Sequence, residues 1–257
     1  MDILRKELNE IYRSQHLDEE QLNINEIERS RILINDFVSI RESCAIITDA
    51  SSDRCYLSGG SLAHLLGITD SFKFNASLDS SDEDLIYNRM HPEDLVEKRM
   101  LEYEFFKAVD DMPKSKKTSY KATCRIRIAN RDGQYIHIDN STQILKTSPR
   151  GKIWLILCCY DLSPDQNPTS GIFPRIIDNI RGQITDLPLS EKRGNILSDR
   201  EKEILRLIQA GKPSKQIADA LGISIHTVNR HRQNILEKLS VGNSIEAITA
   251  ATSMKLL

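Results

Sequence analysis

Polar side chains able to recognise a partner crowd one segment near the C-terminus. Within SIHTVNRHRQNILEKL, residues 224–239, amide and guanidinium groups occur at Asn229, Arg230 and Gln233. Residues four apart stack on one face of a helix, so Asn229 and Gln233 would share a row with Arg230 beside it. These groups form bidentate hydrogen bonds with the edges of adenine and guanine in the major groove of DNA. We therefore expect Asn229, Arg230 and Gln233 to contact bases.

A second set of polar and basic residues in the same region is expected to contact phosphates and to fix the register. Its members are Lys215, Ser224, Thr227, His231, Arg232 and Lys238. A solvated helix face without a partner is the alternative explanation for such a stripe. However, no Asp or Glu occurs between Ser224 and Asn234, whereas ordinary surface helices mix both charges. This pattern favours a polyanionic partner.

Short helices are predicted to position these residues. Ser198 with Glu201 three residues later is a capping box, and Gly211 is expected to end the helix that it begins. Ser214 is predicted to cap a second helix, and Gly222 to supply the turn before a third. Two helices joined by so short a turn make a helix-turn-helix unit. The expected buried positions are Leu197, Ile204, Leu205, Ile208, Ile217, Ala218, Leu221, Val228, Ile235 and Leu239.

The order of motifs in this region resembles the LuxR-type DNA-binding domain. The shared residues are Leu197, Arg200, Glu201, Gly211, Ile217, Ala218, Ser224, Thr227, Val228, His231, Lys238 and Leu239. The resemblance covers about a quarter of the chain and implies an all-α four-helix domain over residues 196–257. Many members have Lys where this chain has Asn229, and Asn is better suited to adenine.

The resemblance also implies a role for the fourth helix, which in this family commonly pairs two domains across the DNA. Its small and apolar residues would suit close pairing of two copies. They would equally suit closure of the domain's own core. These residues are Ile245, Ala247, Ile248, Ala250 and Ala251, after the predicted cap Ser244.

Length and charge indicate how the chain is divided. The 257 residues, 39% of them hydrophobic, predict two domains. Residues 195–257 carry nine Lys and Arg against six Asp and Glu, so their net charge is +3 and that of the rest is −5. Because the C-terminal region is basic and the rest of the chain is acidic, a polyanionic partner is expected to bind the C-terminal region. Pro, Gly, Ser and Asn in residues 163–195 predict a linker, with a docked middle between Ile172 and Ile184.

The N-terminal segment, residues 1–42, is predicted to be helical. Its apolar residues recur at three-four spacing, which indicates packing against a domain, with a dimer seam as the alternative. They are Ile24, Ile27, Ile34, Phe37 and Val38.

Residues 43–162 alternate as two strands, helices and three further strands. This order, together with HPED at residues 91–94 and the RDG turn at 131–133, resembles a PAS-type sensory domain. The predicted fold class is therefore α+β, with an antiparallel PAS-like sheet followed by the helical domain. PAS sheets usually cup a small ligand or a partner helix. Candidates to line such a pocket are Tyr135, Trp154, Cys158 and Tyr160, although alternate strand residues face a core in any case.

Catalysis is not expected, because P-loop, GxGxxG, GxSxG, HExxH and kinase motifs are absent from the sequence. No metal site is predicted, and no cofactor is indicated. The five scattered cysteines suggest reduced thiols, and His64, His91 and His137 are better explained as structural residues than as haem ligands. No apolar run is long enough to span a membrane, so a cytoplasmic protein is expected.

These patterns predict a one-component transcription regulator. Its partners would be double-stranded promoter DNA, a second copy of the chain as a homodimer, a small ligand in the PAS-like domain, and RNA polymerase. Two alternatives remain open. The first is an adaptor whose helix-turn-helix docks on the transcription machinery, and the second is a redox or light sensor that carries a cofactor.

Overall fold

A computed structural model of the protein describes residues 3–80, 83–168, 171–189, 197–239, 241–253 and 256–257. They divide into two compact units, Leu8–Leu187, and Pro188–Leu257 together with Met1–Glu7. The first unit contains an eight-stranded antiparallel sheet, and the second contains the C-terminal helices. The predicted α+β class is confirmed. Over the ranges just given, no helix combines the length and apolar content needed to cross a bilayer.

Helices occupy the N-terminal segment, as predicted, but with an interruption. Helix α1 is Ile3–Arg13, a 3₁₀ turn follows at Leu17–Glu19, and α2 is Asn25–Arg41. Helix α2 ends at Glu42, which adopts the left-handed conformation with a φ of 55°. The chain can thereby turn directly into the first strand.

The sheet brings together strands that are close and strands that are far apart in the sequence of the first unit. They are β1 Cys44–Asp49, β2 Arg54–Gly59, β3 Phe74–Leu78, β4 Tyr120–Ala129, β5 Tyr135–Thr147, β6 Ile153–Leu162, β7 Arg175–Asp178 and β8 Gln183–Asp186. Their spatial order is β3-β2-β1-β6-β5-β4-β7-β8. The sequence predicts β1, β2 and β4 to β6 correctly. It misses the short strands β3, β7 and β8, whose few residues give little alternation.

Four helices connect β2 to β4 around the edge strand β3. They are α3 Ser61–Leu65, α4 Asp84–Tyr87, α5 Pro92–Asp110 and α6 Lys114–Lys117. Pro92 occupies the first helical position of α5, as the HPED motif predicts. The His91 Nδ1 accepts a hydrogen bond from the backbone N–H of Glu93, which caps the helix.

One face of the sheet packs against α2. Ile34 and Val38 are buried there against Ala45, Ile47 and residues of β6. Two of the predicted stripe residues, Ile24 and Phe37, are exposed and do not take part in this packing. Ile24 precedes the helix, and Phe37 lies about 100° round the helix axis from Val38. Packing against the domain is thus correctly predicted for Ile27, Ile34 and Val38 and wrongly predicted for Ile24 and Phe37.

The segment predicted as a linker contains part of the sheet. Strand β7 pairs with β4 from Tyr120↔Asp178 to Thr123↔Arg175, and β8 pairs with β7. Ile172 is fully buried, and its carbonyl accepts a 2.8 Å hydrogen bond from the Arg125 N–H. The last part of the predicted linker, residues 190–195, lies outside the described residues.

The C-terminal helices follow the predicted order. They are α7 Asp199–Gln209, α8 Ser214–Leu221, α9 Ile225–Leu239 and α10 Ser244–Ser253. Ile204 and Leu205 of α7, Ile217 of α8, and Val228 and Ile235 of α9 are buried together with Ala247 of α10. Their apolar side chains form the core that holds α9 in place.

Candidate nucleic-acid interface

The capping box predicted at Ser198 is present, and a hydrogen bond connects it to the C-terminal end of α9. The backbone N–H of Ser198 donates to Glu201 Oε2 over 2.8 Å, and that of Glu201 donates to Ser198 Oγ. Lys238 Nζ donates to the same Glu201 carboxylate over 2.6 Å. Burial raises the pKa of Glu201, but these hydrogen bonds more than offset it, so the pKa lies below its ordinary value. One carboxylate therefore fixes the start of α7 against α9.

The turn between α8 and α9 follows the predicted chemistry with one correction. Gly222 has a φ of 64°, the left-handed conformation that glycine adopts without a steric cost. Ser224 Oγ accepts the Thr227 N–H over 3.0 Å and so caps α9. Ser214, predicted as the cap of α8, is instead its first helical residue after Pro213, because Pro213 already has the extended backbone of a cap.

Helix α9 has one buried side and one exposed polar side. Val228, Ile235 and Leu239 lie in the core. Asn229, Arg230 and Gln233 are exposed, and we call them the reading face of α9 after the role that the sequence predicts for them. Among the described residues neither Asn229 nor Arg230 has a side-chain hydrogen-bond partner, and Gln233 makes only a 3.4 Å contact from Nε2 to Glu237 Oε1. The reading face is therefore free to bind a partner.

The six residues predicted at phosphates occupy different environments. Lys215 is exposed, and Ser224 and Thr227 lie at the start of α9, where their hydroxyl groups are 2.8 Å apart. Arg232 instead donates to Ser214 Oγ and Ser244 Oγ, at 3.2 and 3.0 Å. The structure thus brings Lys215, Ser224 and Thr227 to the outside.

Two of the predicted phosphate contacts serve their own domain, and a third is half-buried. Arg232 links α8, α9 and α10 through the two serine hydroxyls, and Lys238 binds Glu201. His231 is half-buried, and its Nδ1 is buried without a partner among the described residues. Arg232 and Lys238 thus hold the domain together in the absence of DNA, whereas His231 makes no such contact within the described residues.

His226 is an exposed residue that the sequence analysis did not assign to DNA. It lies three residues before Asn229 and four before Arg230, so it shares their side of α9. This spacing was sufficient to identify it. Its imidazole adds a further hydrogen-bonding group beside the reading face.

Helix α10 is capped by Asn243 rather than by Ser244. Asn243 Oδ1 accepts the N–H groups of Ile245 and Glu246, each over 3.0 Å. Ala247 and Ala251 are fully buried, so these small residues close the core of their own domain. Ile245 is 78% exposed and is the apolar side chain of α10 that remains available to a partner.

Comparison with known proteins identifies the C-terminal region. The profile of the family described as "Bacterial regulatory proteins, luxR family" matches residues 195–251. Those residues are a luxR-family helix-turn-helix domain. The predicted LuxR-type character of this region is thereby confirmed.

Individual relatives of this luxR-family domain are regulators. The transcriptional regulatory protein DesR of Bacillus subtilis is 54% identical over 55 residues, which are 21% of this chain and 28% of DesR. The transcriptional activator protein CarR of Pectobacterium carotovorum is 42% identical over 71 residues, 28% of this chain and 29% of CarR. The chain thus spans under a third of the length of these curated relatives. The family and its members regulate transcription and are not enzymes.

Solved structures align over more of the chain but with low similarity. The phage VqmA-DPO complex covers 90% of this chain and 90% of its own, with 18% identity and a TM-score of 0.30. Escherichia coli SdiA covers 95% of this chain with 15% identity and a TM-score of 0.23. At these TM-scores the alignments support no conclusion about the sheet domain.

Of the four residues predicted to line a pocket in the sheet domain, the structure brings Cys158 and Tyr160 together and leaves Trp154 and Tyr135 elsewhere. Cys158 and Tyr160 lie on the face of the sheet opposite α2 and are buried. Trp154 packs in the cluster under α2, with its Nε1 donating to Asp49 Oδ1 over 3.1 Å. Tyr135 is half-exposed at the start of β5, against the ring of His91. Trp154 and Tyr135 therefore lie apart from Cys158 and Tyr160, and alternation along a strand could not show this because it does not tell which face a helix covers.

A buried polar chain, which the sequence analysis missed, surrounds Cys158 and Tyr160. The chain consists of Glu83, Tyr160, Cys158, Thr142, Lys98, Glu102 and Tyr87, all of them buried. Lys98 Nζ donates to Glu102 and, over 3.2 Å, to Thr142 Oγ1. Tyr160 donates to Glu83, and Tyr87 donates to Glu102 Oε2 over 2.9 Å. Thr142 Oγ1 and Cys158 Sγ, 3.5 Å apart, join the two parts.

The charges in this buried polar chain determine its protonation. Burial raises the pKa of Glu83, and the nearby Lys98 opposes that change only in part. Burial alone would lower the pKa of Lys98, but the adjacent Glu102 carboxylate more than offsets it, so the pKa is raised. Lys98 therefore keeps its positive charge inside the protein, beside Glu102.

Two groups in the described residues have the geometry to hold a metal ion. Glu83, Glu102 and Cys158 form one, and His91, Glu93 and Asp94 form the other, each with ligand atoms within 4.8 Å of one another. In the first, Lys98 already supplies the positive charge to Glu102. In the second, Arg127 binds both Glu93 and Asp94, at 2.9 and 2.6 Å. Side chains of the protein thus occupy the place of a cation at both groups.

The thiols have the properties of structural residues. Cys44, Cys55, Cys124 and Cys158 are buried, and Cys159 is partly buried. Burial raises the pKa of Cys44 and of Cys124 to about 12, and that of Cys159 to about 11. Since the thiolate is the reactive form, these cysteines react slowly with oxidants and metals.

An open groove of about 550 Å³ is lined by residues of β4, β5 and β7, by the end of β6 and by the segment after it. Its charged residues are Arg125, Asp139, Asp161, Asp165 and Arg175. Most of them are paired: Arg125 with Asp165, Arg175 with Asp186 at 2.9 Å, and Asp161 with Arg41 at 3.0 Å. The groove contains none of the predicted pocket residues.

Proposed function

We propose that the protein is a one-component, sequence-specific transcription regulator that binds promoter DNA through the luxR-family domain. One observation carries this proposal. The reading face is exposed and largely without partners, while the neighbouring Arg232 and Lys238 are held by their own domain. Polar groups that a fold positions but does not use are suited to base edges.

The assignment of side chains to DNA atoms follows from their positions. Asn229, Arg230 and Gln233 read bases, with Asn229 and Gln233 suited to adenine and Arg230 to guanine. Lys215, Thr227 and the N–H groups at the start of α9 bind phosphates, where the positive end of the helix dipole adds to the attraction. Arg232 and Lys238 take part where their intradomain contacts allow a second partner, and His231 contributes its half-buried imidazole.

The sheet domain, over residues 43–162, is proposed to be a PAS-like sensor. Two features support this interpretation. The order β2-β1-β6-β5-β4 places the first two strands beside the last three, and the helices α3 to α5 fall between β2 and β4. The signal would be a small ligand or a partner protein, and residues 196–257 would supply the DNA-binding output.

Regulation would operate by linkage between the two functions. A signal that binds one arrangement of the sheet domain more tightly raises the population of that arrangement. A homodimer places two α9 helices about one turn of DNA apart, so only some arrangements bind both half-sites. The signal thereby changes the affinity for the promoter without touching the reading face.

Selection of bound duplexes from a randomised pool, with the full-length protein at near-physiological salt, tests this proposal. The expected result is an enriched inverted repeat. The absence of any enriched sequence would contradict it and would favour an adaptor whose helix-turn-helix docks on another protein.

A further inference from the structure

Helix α2 carries a second apolar surface that the sheet does not cover. Leu33 is 65% exposed, Phe37 41% and Ile40 83%. Their spacing of four and then three residues puts them on one side of the helix. We call these three residues the outer stripe. The Arg41 guanidinium group lies over one side of the Phe37 ring, 5.5 Å from its centre, and Leu33 and Ile40 are the more exposed members.

The outer stripe is distinct from the side of α2 that packs on the sheet. At 100° per residue, Leu33, Phe37 and Ile40 are centred about 100° round the helix from Ile34 and Val38. Ile34 and Val38 are buried, so the sheet accounts for one apolar side of α2 and not for the other. Leu33, Phe37 and Ile40 occupy successive d, a and d positions of a heptad pattern, and the preceding a position is Ser30, which is buried in the single chain.

We propose that the outer stripe pairs with the same stripe of a second copy of this chain, with the two α2 helices parallel. In a parallel pair, Leu33, Phe37 and Ile40 each meet their own counterpart across a two-fold axis. Antiparallel pairing matches Phe37 with Leu33 but leaves Ile40 opposite Ser30. The parallel arrangement therefore buries more of the exposed apolar surface.

The charges beside the stripe favour the same orientation. Asp36 is exposed and makes no ion pair within the described residues. In a parallel pair, Asp36 of one copy faces the residue five positions further along the other copy, which is Arg41. Arg41 is half-exposed and uses one edge of its guanidinium group for Asp161, which leaves donors for a second carboxylate. Antiparallel pairing would instead bring the two Asp36 carboxylates together.

The size of the stripe limits the strength of the pair. The exposed surface area of its three residues adds up to that of about two fully exposed residues per copy. A stable interface buries about 800 Å² per partner, several times more than two side chains supply. The free protein is therefore a weak, concentration-dependent dimer. Under the proposed function, two DNA half-sites would hold both copies close together and so strengthen the pair.

Cysteine substitution gives a direct test on the full-length protein without DNA. In a parallel pair the two Ile40 side chains face each other, so an Ile40→Cys variant should form an intermolecular disulfide under mild oxidation. Ile32 provides the matched control, because it is also an exposed isoleucine of α2, at 57%, but lies off the stripe. The wild-type chain, oxidised in parallel, measures any reaction of the native cysteines.

Sedimentation over a concentration series provides the second measurement. Ile40→Ser should raise the dissociation constant of the dimer by about tenfold or more, while Ile32→Ser leaves it unchanged. Both side chains are exposed in the single chain, so unchanged circular dichroism is expected for all variants. Equal cross-linking of Ile40→Cys and Ile32→Cys, cross-linking of neither, or equal effects of the two serine variants would overturn the proposal.

The dimer inference and the proposed function fail separately. A dimer that depends on the outer stripe but selects no DNA sequence would support the α2 pairing and contradict the proposed function. A chain that selects a DNA sequence but whose dimer is unaffected by Ile40→Ser would support the proposed function and overturn the α2 pairing.

Discussion

The reading face of α9 and the buried polar chain of the sheet domain are both clusters of polar side chains, but they stand in opposite environments. Asn229 and Arg230 are exposed and have no side-chain partner within the described residues. Lys98 and Glu102 are buried and bind each other. A buried polar group must be satisfied by the protein itself, whereas an exposed group can be satisfied by water until a ligand replaces it.

The two clusters therefore carry different consequences for function. Removing a group from the buried polar chain should cost stability and leave DNA recognition unchanged in the folded molecules. Removing a group from the reading face should cost recognition and leave stability unchanged. The variants below test this distinction.

The largest effect is expected for Lys98→Met. It leaves the Glu102 carboxylate buried without its cation, which should lower the free energy of unfolding by about 3–5 kcal/mol. Urea denaturation followed by the fluorescence of Trp154, the one tryptophan of the chain, measures this change in the sheet domain. Lys215→Met, at an exposed lysine, should change the same value by less than about 0.5 kcal/mol.

A double variant sharpens the interpretation of Lys98→Met. Replacing both charges, as Lys98→Met with Glu102→Leu, removes the buried unpaired carboxylate and should recover much of the lost stability. If the double variant were as unstable as the sum of its single changes, packing rather than charge would explain the effect.

A smaller effect, on binding alone, is expected for Arg230→Ala. Loss of a bidentate contact to guanine should weaken binding to the selected duplex by about 1–3 kcal/mol and relax the preference at that base pair. Fluorescence anisotropy with labelled duplex measures the affinity, and thermal unfolding should be unchanged. A drop in thermal stability with unchanged affinity would place Arg230 among the structural residues.

Ser198→Ala should destabilise the luxR-family domain by about 1 kcal/mol, because the N–H of Glu201 loses its acceptor.

The stability of this domain should also depend on pH through Glu201, whose pKa is lowered in the folded protein. Its stabilising effect is present above the unfolded pKa of about 4.3 and is lost as the pH falls through the folded value. Glu201→Gln should remove this part of the acid dependence, as measured by circular dichroism of unfolding between neutral and acidic pH.

The smallest effect is expected for Lys215→Ala. A phosphate contact carries no sequence information, so its loss should weaken binding to all duplexes alike. The slope of log K against log salt concentration should fall by about one. A change in sequence preference instead would mean that Lys215 reads a base.

The luxR-family domain could be predicted closely from sequence because its signals are local. The capping box of Ser198 and Glu201, the left-handed Gly222 and the three-four spacing of Val228, Ile235 and Leu239 each act within a few residues. The strands β4 to β6 were predictable for the same reason, since their alternation is long.

The parts that the sequence did not predict depend on distant contacts. Lys98 and Glu102 are four residues apart in α5, a spacing typical of a surface ion pair, and only the packed sheet buries them. Trp154 faces α2 because of how that helix covers β6. The pairing of β7 with β4 joins residues more than 50 positions apart, which local turn signals in the predicted linker could not reveal.

The most direct test of the central claim, that the reading face recognises bases, is duplex selection with the wild type and Asn229→Ala in parallel. The account predicts that wild type enriches a defined inverted repeat, and that Asn229→Ala loses the preference at one base pair of each half-site while keeping the rest. Identical motifs, with unchanged rank order and strength for every single-base variant, would show that Asn229 does not read the sequence.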